Sequence, residues 1–221
     1  LPSKPFAIVI DDVAIQRNAV ASIVRELGYE VFAPTSWDEL NAFMAEHAIS
    51  GRIDLVISDN RLEGAAWSDA PPGSELLAMM ETVPAAQHAN LIFRSHSEGS
   101  EVIPQESRIK VYPKEVSGMR DNIKLEIKLA AEMLKSTDEQ MRVRAHRAFF
   151  KLANNPQESL REMAIEIMEA ESLNVEEILD AAQGYESPVV QTSPPGVEIA
   201  REESEILAAV AEEALEQETH V

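Results

Sequence analysis

Three apolar runs in this sequence each end at charged side chains. The runs and the charged residues that follow them are 6–10 with Asp11 and Asp12, 55–58 with Asp59, and 111–113 with Lys114. Apolar runs rich in Val and Ile are typical of parallel strands that are buried on both faces. In a doubly wound sheet, functional groups collect at the carboxyl ends of the strands. The sequence therefore predicts three carboxylates and one ammonium at one edge of a parallel sheet, an arrangement that suits a hard cation and a phosphoryl group.

Hydrophobic periodicity predicts an α/β fold, because strand-like runs alternate with helical patterns in the first half of the chain. Strands are expected at residues 6–10, 29–33, 53–58, 90–94 and 109–112. Three helices are expected in this half of the chain. The first spans 14–27, with Ile15 among its inward residues; the second begins at Ser36, where the sequence has the form of a capping box; and the third lies around 74–82. The polar stretch between Ser95 and Arg108 is interrupted by Gly and Pro, so its helix is expected to be short, distorted or missing.

From about Gly118 the pattern changes to amphipathic helices only. Helix starts are expected near Gly118, at a Thr137 cap, at Asn155 with Pro156 in the first helical position, and at Asn174. The predicted division is an α/β domain at 1–117, an all-α output or dimerisation region at 118–184, a Pro-rich linker at 185–197 and an acidic C-terminal helix at 198–221. The predicted fold class is thus a doubly wound five-stranded parallel sheet followed by an all-α region.

Charge narrows the classes of partner. The formal net charge is −20, which disfavours non-specific attraction to nucleic acid and to anionic membranes. The charge is uneven, because residues 152–221 carry 2 basic and 17 acidic side chains.

Cysteine is absent, which excludes disulfides and thiolate metal sites. No apolar run approaches the roughly 20 residues of a spanning helix, so a cytoplasmic protein is the expectation.

Residues 6–116 resemble the receiver domain of two-component response regulators. The matching stretches are Ile-Asp-Asp at 10–12, Ile-Ser-Asp-Asn-Arg-Leu at 57–62, Phe-Arg-Ser-His at 93–96 and Tyr-Pro-Lys at 112–114. Any one match is weak, but four in the family's order, each at a strand end, form a fairly specific pattern. The resemblance implies the flavodoxin-like strand order 2-1-3-4-5 and a phosphoprotein of signal transduction.

The family's functional residues fall on matching positions of this chain. The resemblance implies that Asp59 is the phosphoacceptor, that Lys114 neutralises charge on the transferring phosphoryl group, and that Ser95 turns its hydroxyl toward the new phosphate. It implies Mg²⁺ as the cofactor, held by Asp11, Asp12, Asp59 and the backbone carbonyl of Arg61. A sensor histidine kinase or a phosphotransfer protein is the implied phosphodonor.

The sequence departs from the family's pattern at three places. The family usually has proline after the lysine, whereas here proline precedes Lys114. The family's switch aromatic lies three residues before the lysine, where this chain has Val111, and Tyr112 is one place off. The loop after the third strand carries an insertion at 63–72 that includes Trp67, which we expect to be a packed surface aromatic rather than an anchor for a partner. These departures predict a divergent receiver with an unusual signalling face.

The sequence leaves the role of the helical half open among three interpretations. In the first interpretation, the helices form an output and dimerisation module, which would allow a homodimer through the C-terminal helices. In the second, they form an RNA-binding unit, since residues 160–164 are faintly similar to the last helix of the ANTAR family, although the acidity of the region argues against this. In the third, His146 is a phosphotransfer histidine with basic neighbours; an ordinary exposed histidine is the simpler interpretation.

The sequence as a whole predicts a response regulator of a two-component system or phosphorelay. It is expected to catalyse only its own phosphorylation and dephosphorylation, so a conventional enzyme is not expected. The rival from another class is a pseudo-receiver, an adaptor in protein–protein interaction that keeps the fold but never carries phosphate.

Overall fold

A five-stranded parallel sheet organises the chain, with the strand order β2-β1-β3-β4-β5. The computed structural model describes residues 4–49, 51–95, 107–114 and 118–183. The strands are β1 Phe6–Ile10, β2 Glu30–Phe32, β3 Leu55–Asp59, β4 Asn90–Ser95 and β5 Lys110–Pro113. The predicted fold class and strand order are confirmed, and each expected strand overlaps its observed counterpart.

Helices cover both faces of this sheet. Within the described residues the α-helices are α1 Ala14–Glu26, α2 Trp37–His47, α3 Gly73–Glu81, α4 Gly118–Leu134, α5 Glu139–Ala153, α6 Glu158–Ala170 and α7 Val175–Gln183. Two short 3-10 helices, Ala65–Trp67 and Pro84–Ala86, flank α3. The Ser36 cap of α2 is confirmed, since Ser36 Oγ accepts a hydrogen bond from the Glu39 amide at 3.2 Å, but the Glu39 carboxylate accepts from the Thr35 amide at 2.7 Å rather than from the Ser36 amide of a full capping box.

The strands divide their side chains between two hydrophobic cores, as the two-residue period of a strand requires. Ala7 and Val9 of β1 lie in the core beneath α1 and α4. Ile8 and Ile10 lie in the core beneath α2 and α3. Because both faces of the sheet are covered, the sequence of β1 is a continuous apolar run rather than an alternation of apolar and polar residues.

Helices α5, α6 and α7 extend the first of these cores. Phe149 of α5 and Ile167 of α6 belong to the same buried cluster as Val9 of the sheet. Two polar contacts join α5 to the end of α1: the Arg144 guanidinium donates to the Gly28 carbonyl at 3.2 Å, and Lys151 pairs with Glu26. The helical half therefore packs on the sheet domain, while the predicted boundary at residue 117 stays a prediction.

Three local expectations about the helices are wrong. Ile15 is 83% exposed, and Arg17 is buried in its place, because the guanidinium donates to the Asp11 carbonyl at 2.8 Å. The α5 cap is Asp138 rather than Thr137, with its carboxylate accepting from the Gln140 amide. Helix α6 begins at Glu158, beyond Pro156.

Several other expectations are met or lie elsewhere. Trp67 is only 2% exposed and lies in the core beneath α2 and α3, so it is packed as expected but is buried rather than at the surface. The helix expected to be irregular between Ser95 and Arg108, the linker at 185–197 and the terminal helix lie outside the described residues. Within the described part of the chain, none of the helices is both long and apolar enough to cross a membrane.

Candidate functional site

Strand register brings the predicted site residues to one edge of the sheet. Asp11 and Asp12 directly follow β1, and Asp59 is the last residue of β3. Ile10 of β1 lies opposite Ser58, and Asp59 lies opposite Arg94 of β4. Because all five strands are parallel, their carboxyl ends open at the same edge.

The three acidic side chains converge at this edge. Asp11, Asp12 and Asp59 each offer a carboxylate oxygen, and these three oxygens all lie within 4.8 Å of one another. The Lys114 ammonium adjoins this cluster of acids, 3.0 Å from Asp59 Oδ2 and 3.4 Å from Asp11 Oδ2. The structure therefore brings together the four charged residues that the sequence predicted to meet.

Backbone amides fix each carboxylate in place. Asp11 accepts a hydrogen bond from the Val13 amide at 2.9 Å, and Asp59 accepts one from the Asn60 amide at 2.7 Å. Asp12 accepts one from the amide of Glu63 at 3.1 Å, which ties the first strand end to the loop after β3. One carboxylate oxygen of each acid accepts a backbone N–H, and the carboxylate can still accept further bonds or bind a cation.

Burial governs the electrostatics of the cluster. Desolvation raises the pKa of Asp11 above its ordinary value, the Lys114 ammonium lowers it, and the neighbouring Asp59 carboxylate raises it further. The net direction is upward, so the single ammonium does not fully compensate the buried negative charge. A cluster of this kind favours the arrival of another cation.

Mg²⁺ fits the donors that are present. It prefers oxygen ligands in octahedral geometry and keeps several waters, so two or three carboxylates suffice. Asp11, Asp12 and Asp59 would hold it, and its charge would offset the repulsion among the three acids. Arg61 lies in the exposed loop two residues after Asp59, where its backbone carbonyl is the further ligand that the resemblance implies.

Ser95 ends β4 beside the cluster and is buried. Its carbonyl accepts a hydrogen bond from the Lys114 amide at 2.9 Å, so the hydroxyl-bearing residue and the lysine are joined through the backbone. The preceding residue, Arg94, is also buried and forms an ion pair with Asp121 of α4. The β4 end is thereby linked both to the site and to the helical half.

Two supporting residues escape sequence reasoning. The amide oxygen of Gln16 accepts a hydrogen bond from the Lys114 ammonium at 2.8 Å, and nothing in the local pattern of α1 marks it. Gly73 approaches the site so closely that an ideal Cβ there would lie 1.7 Å from the Asp59 carbonyl oxygen. The Pro-Gly pair at 72–73 indicated only a turn, although a glycine at a helix start also suits close backbone approach.

The insertion at 63–72 forms a closed loop beside the acids. Trp67 anchors it in the core, and the Gly73 amide donates to the Asn60 carbonyl at 2.9 Å where the loop rejoins α3. The loop thus presents the Glu63 amide to Asp12 from a fixed base.

The candidate phosphotransfer histidine and the stretch similar to the ANTAR family both lie in the helical half. His146 lies on α5 with its Nδ1 atom enclosed, and residues 160–164 lie within α6. Neither belongs to the cluster of carboxylates at the sheet edge.

Comparison with known proteins gives structural likeness alone. No family model and no curated protein matches this sequence. Many of the similar solved structures are response regulator receiver domains. One, a receiver domain protein from Clostridium thermocellum, is 18% identical, with 65% of this chain and 95% of that chain covered at a TM-score of 0.42. Another, from Burkholderia phymatum, is 22% identical, with 62% and 99% covered at a TM-score of 0.41.

A third similar structure is the signal receiver domain of an HD domain-containing protein from Pseudomonas fluorescens Pf-5. It is 19% identical, with 59% of this chain and 96% of that chain covered at a TM-score of 0.43. Recognition of the fold rests on this chain's own strand order, with the acids and the lysine at the strand ends. The described residues between 6 and 114 have the same fold as receiver domains.

Proposed function

We propose that this protein is a response regulator that accepts a phosphoryl group on Asp59. The observation that carries the proposal is the convergence of three carboxylates within 4.8 Å, with the Lys114 ammonium 3.0 Å from Asp59. A structural acid pair that merely capped the next helix would not require a third acid and a lysine from two other strands. The donor is a phosphohistidine of a kinase or a phosphotransfer protein.

The transfer step needs little covalent chemistry from the protein. A carboxylate oxygen of Asp59 attacks phosphorus, the nitrogen–phosphorus bond of the donor breaks, and its electron pair stays on the donor imidazole, which then takes a proton from solvent. The Lys114 ammonium stabilises negative charge on the phosphoryl oxygens. Gln16 and the Ser95 carbonyl hold the lysine residue in reach of them. When bound, Mg²⁺ supplies further neutralisation of that charge.

We further propose that the phosphorylated site acts on α4 and the helices packed against it. The buried Arg94 side chain leaves the β4 end beside Ser95 and pairs with Asp121 on α4. A rearrangement of Ser95 toward a phosphate would move the backbone of Arg94, and the ion pair would carry that movement to α4. The output is then a change in contacts within the helical half or with a protein partner.

Incubation with Mg²⁺ and phosphoramidate, followed by intact mass measurement, tests the phosphoacceptor. We expect a gain of one phosphoryl group in the wild type and none in Asp59→Asn. The matched control is Asp69→Asn, which removes an equally charged, exposed acid from the neighbouring loop and should leave the gain unchanged. Chelation of Mg²⁺ should abolish the gain in both proteins that show it.

The same experiment separates the proposal from the adaptor hypothesis. A folded wild-type protein that gains no mass from phosphoramidate, from acetyl phosphate or from a phosphorylated histidine donor would be an adaptor that keeps the fold without the chemistry. A gain that persists in Asp59→Asn would place the acceptor elsewhere and would refute the assignment of Asp59.

A further inference from the structure

A second cleft lies among α4, α5 and α6 and includes none of the phosphoacceptor-site residues. It has a volume of about 410 Å³, which lies within the usual range for small-molecule sites. Half of its lining is apolar, from Met119 and Ile123 of α4, Leu152 of α5 and Leu160 of α6. Met119 is 57% exposed, so an apolar wall of the cleft faces solvent.

Two charged residues, Glu126 and Lys151, also line the cleft. Glu126 lines the cleft and is only 9% exposed, although it lies among the inward residues of α4. Within the described part of the chain, its carboxylate has no hydrogen-bond donor and no cation within ion-pair distance. The nearest charges are Lys151 of α5, which attracts it, and Glu26 of α1, which repels it. These two side chains pair with each other instead.

An acid in this position is costly to the folded protein. A largely buried carboxylate without a hydrogen-bonding partner loses much of its hydration and gains no compensating bond. Burial raises the pKa of Glu126 to about 7, which is the expected response to that loss. A leucine or a glutamine would satisfy the same helical position without the penalty. The position therefore suits a ligand that brings a positive charge to the carboxylate.

We propose that the cleft binds a small organic ammonium ion, an amine carried on a hydrocarbon body, with the Glu126 carboxylate as its acceptor. The hydrocarbon body would lie against the apolar side chains of α4, α5 and α6. Asn122 and Asn155 also line the cleft, and their amide oxygens can accept further N–H bonds of a primary ammonium. The proposal stands independently of phosphorylation at Asp59.

Other ligand classes fit the cleft less well. An anion would face the Glu126 and Glu26 carboxylates, while the ammonium of Lys151, the one cation among the lining residues, already pairs with Glu26. A hard divalent cation requires several charged oxygen ligands, whereas the cleft offers one carboxylate and is also lined by Lys151. A neutral hydrocarbon would leave the carboxylate buried without a partner.

Isothermal titration of the full-length protein without Mg²⁺ tests the proposal with three probes. The probes are n-hexylamine, 1-hexanol with the same body and no charge, and methylamine with the charge and almost no body. The titration is run at about pH 8, above the pKa of Glu126 and below that of an alkyl amine. We expect hexylamine to bind at least tenfold more tightly than either of the other probes.

Three variants locate the binding. Glu126→Gln should weaken hexylamine at least tenfold, since a charge-assisted hydrogen bond is lost, and should leave hexanol unchanged. Met119→Ala should weaken hexylamine several-fold without loss of folding, because Met119 is largely exposed. Glu169→Gln, an exposed acid on α6 outside the cleft lining, is the charge-matched control and should bind as the wild type does.

Three results would overturn the proposal. They are equal binding of hexylamine and hexanol, hexylamine affinity that survives Glu126→Gln, and the absence of any hexylamine binding by folded wild-type protein at millimolar concentration. Amide chemical shifts recorded in the same titration guard against misfolded variants. They should change first around Ile123 and Leu152, and changes confined to other regions would also refute the assignment of the cleft.

Discussion

Substitution of Gly73 by alanine should destabilise this protein, although the same change at a helix start is ordinarily neutral or favourable. Gly73 is the first residue of α3, where alanine would be expected to stabilise by up to about 1 kcal/mol. The structure predicts the opposite sign. An ideal Cβ at this position would lie 1.7 Å from the Asp59 carbonyl oxygen and 2.8 Å from Ser58 Oγ.

The magnitude follows from that geometry. The Asp59 contact involves a backbone atom, so it can be relieved only if the start of α3 or the end of β3 moves by more than an ångström. Such overpacking costs about 1–3 kcal/mol. The shift would also break the hydrogen bond from the Gly73 amide to the Asn60 carbonyl, worth about 1 kcal/mol. We expect a total loss of about 2–4 kcal/mol in the free energy of unfolding.

Urea unfolding followed by circular dichroism measures this loss. Gly118→Ala is the matched control, because Gly118 is also the first residue of its helix and a Cβ there meets no atom within 4 Å. It should be neutral or slightly stabilising. A Gly73→Ala protein as stable as the wild type would refute the reasoning, since it would mean that the backbone end bearing Asp59 is not tightly packed against α3.

Three further predictions concern charged and polar contacts. The pKa of Glu126 is raised from its usual 4.5 to about 7 in the folded protein, where Lys151 and Glu26 are the charges that act on it. The folded state therefore holds the Glu126 proton more tightly than the unfolded chain, and the stability gained from this is lost as pH rises from about 4.5 to about 7. Glu126→Gln should flatten the pH dependence of unfolding there, with an upper limit of about 3 kcal/mol from this group, and an unchanged profile would contradict the assignment. Asp121→Asn should lower stability by about 3–5 kcal/mol in chemical denaturation, because it leaves the buried Arg94 without its anion, and a loss under 1 kcal/mol would show that the pair is solvated. Gln16→Ala should slow phosphorylation of Asp59 by phosphoramidate several-fold while unfolding changes little, since it frees the Lys114 ammonium from its amide partner; an unchanged rate would exclude a positioning role.

Sequence reasoning succeeds best where one local rule determines the outcome. β1 is recovered at its observed bounds because a run of five apolar residues that ends at two acids has few other solutions. The site acids and the lysine follow from the same rule, since parallel strands open their carboxyl ends at one edge. Glycine directly after a helix often adopts the left-handed conformation, and Gly28 does so after α1, with φ +91°.

It fails where tertiary contacts decide. The helical period alone permits Ile15 to face inward, but the Arg17 guanidinium takes the buried position because the Asp11 carbonyl is within its reach. Gly73 escapes notice because its constraint is a backbone atom fourteen residues earlier, and no pattern within α3 records that contact. Pro156 satisfies the rule for a first helical position, yet α6 begins two residues later, where Gln157 takes the cap position.

The displaced aromatic of β5 connects these local contacts to the proposed output. A shift of one residue along a strand moves a side chain to the opposite face of the sheet. Val111, at the family's aromatic position, packs in the core beneath α2 and α3, whereas Tyr112 packs in the core beneath α1 and α4.

There the Lys128 ammonium of α4 lies 5.1 Å from the centre of the Tyr112 ring and pairs with Glu171, the residue that follows α6, at 2.7 Å. The aromatic that precedes the site lysine therefore contacts the helical half directly. Together with the ion pair between Arg94 and Asp121, it gives a change at the sheet edge that bears Asp59 two routes into α4. If Tyr112→Ala leaves the phosphorylation rate unchanged but abolishes the change in hydrogen exchange of α5 and α6 on phosphorylation, the helical half is the output of the proposed phosphorylation site. If that change in exchange persists in both Tyr112→Ala and Asp121→Asn, the signal leaves the site by another surface.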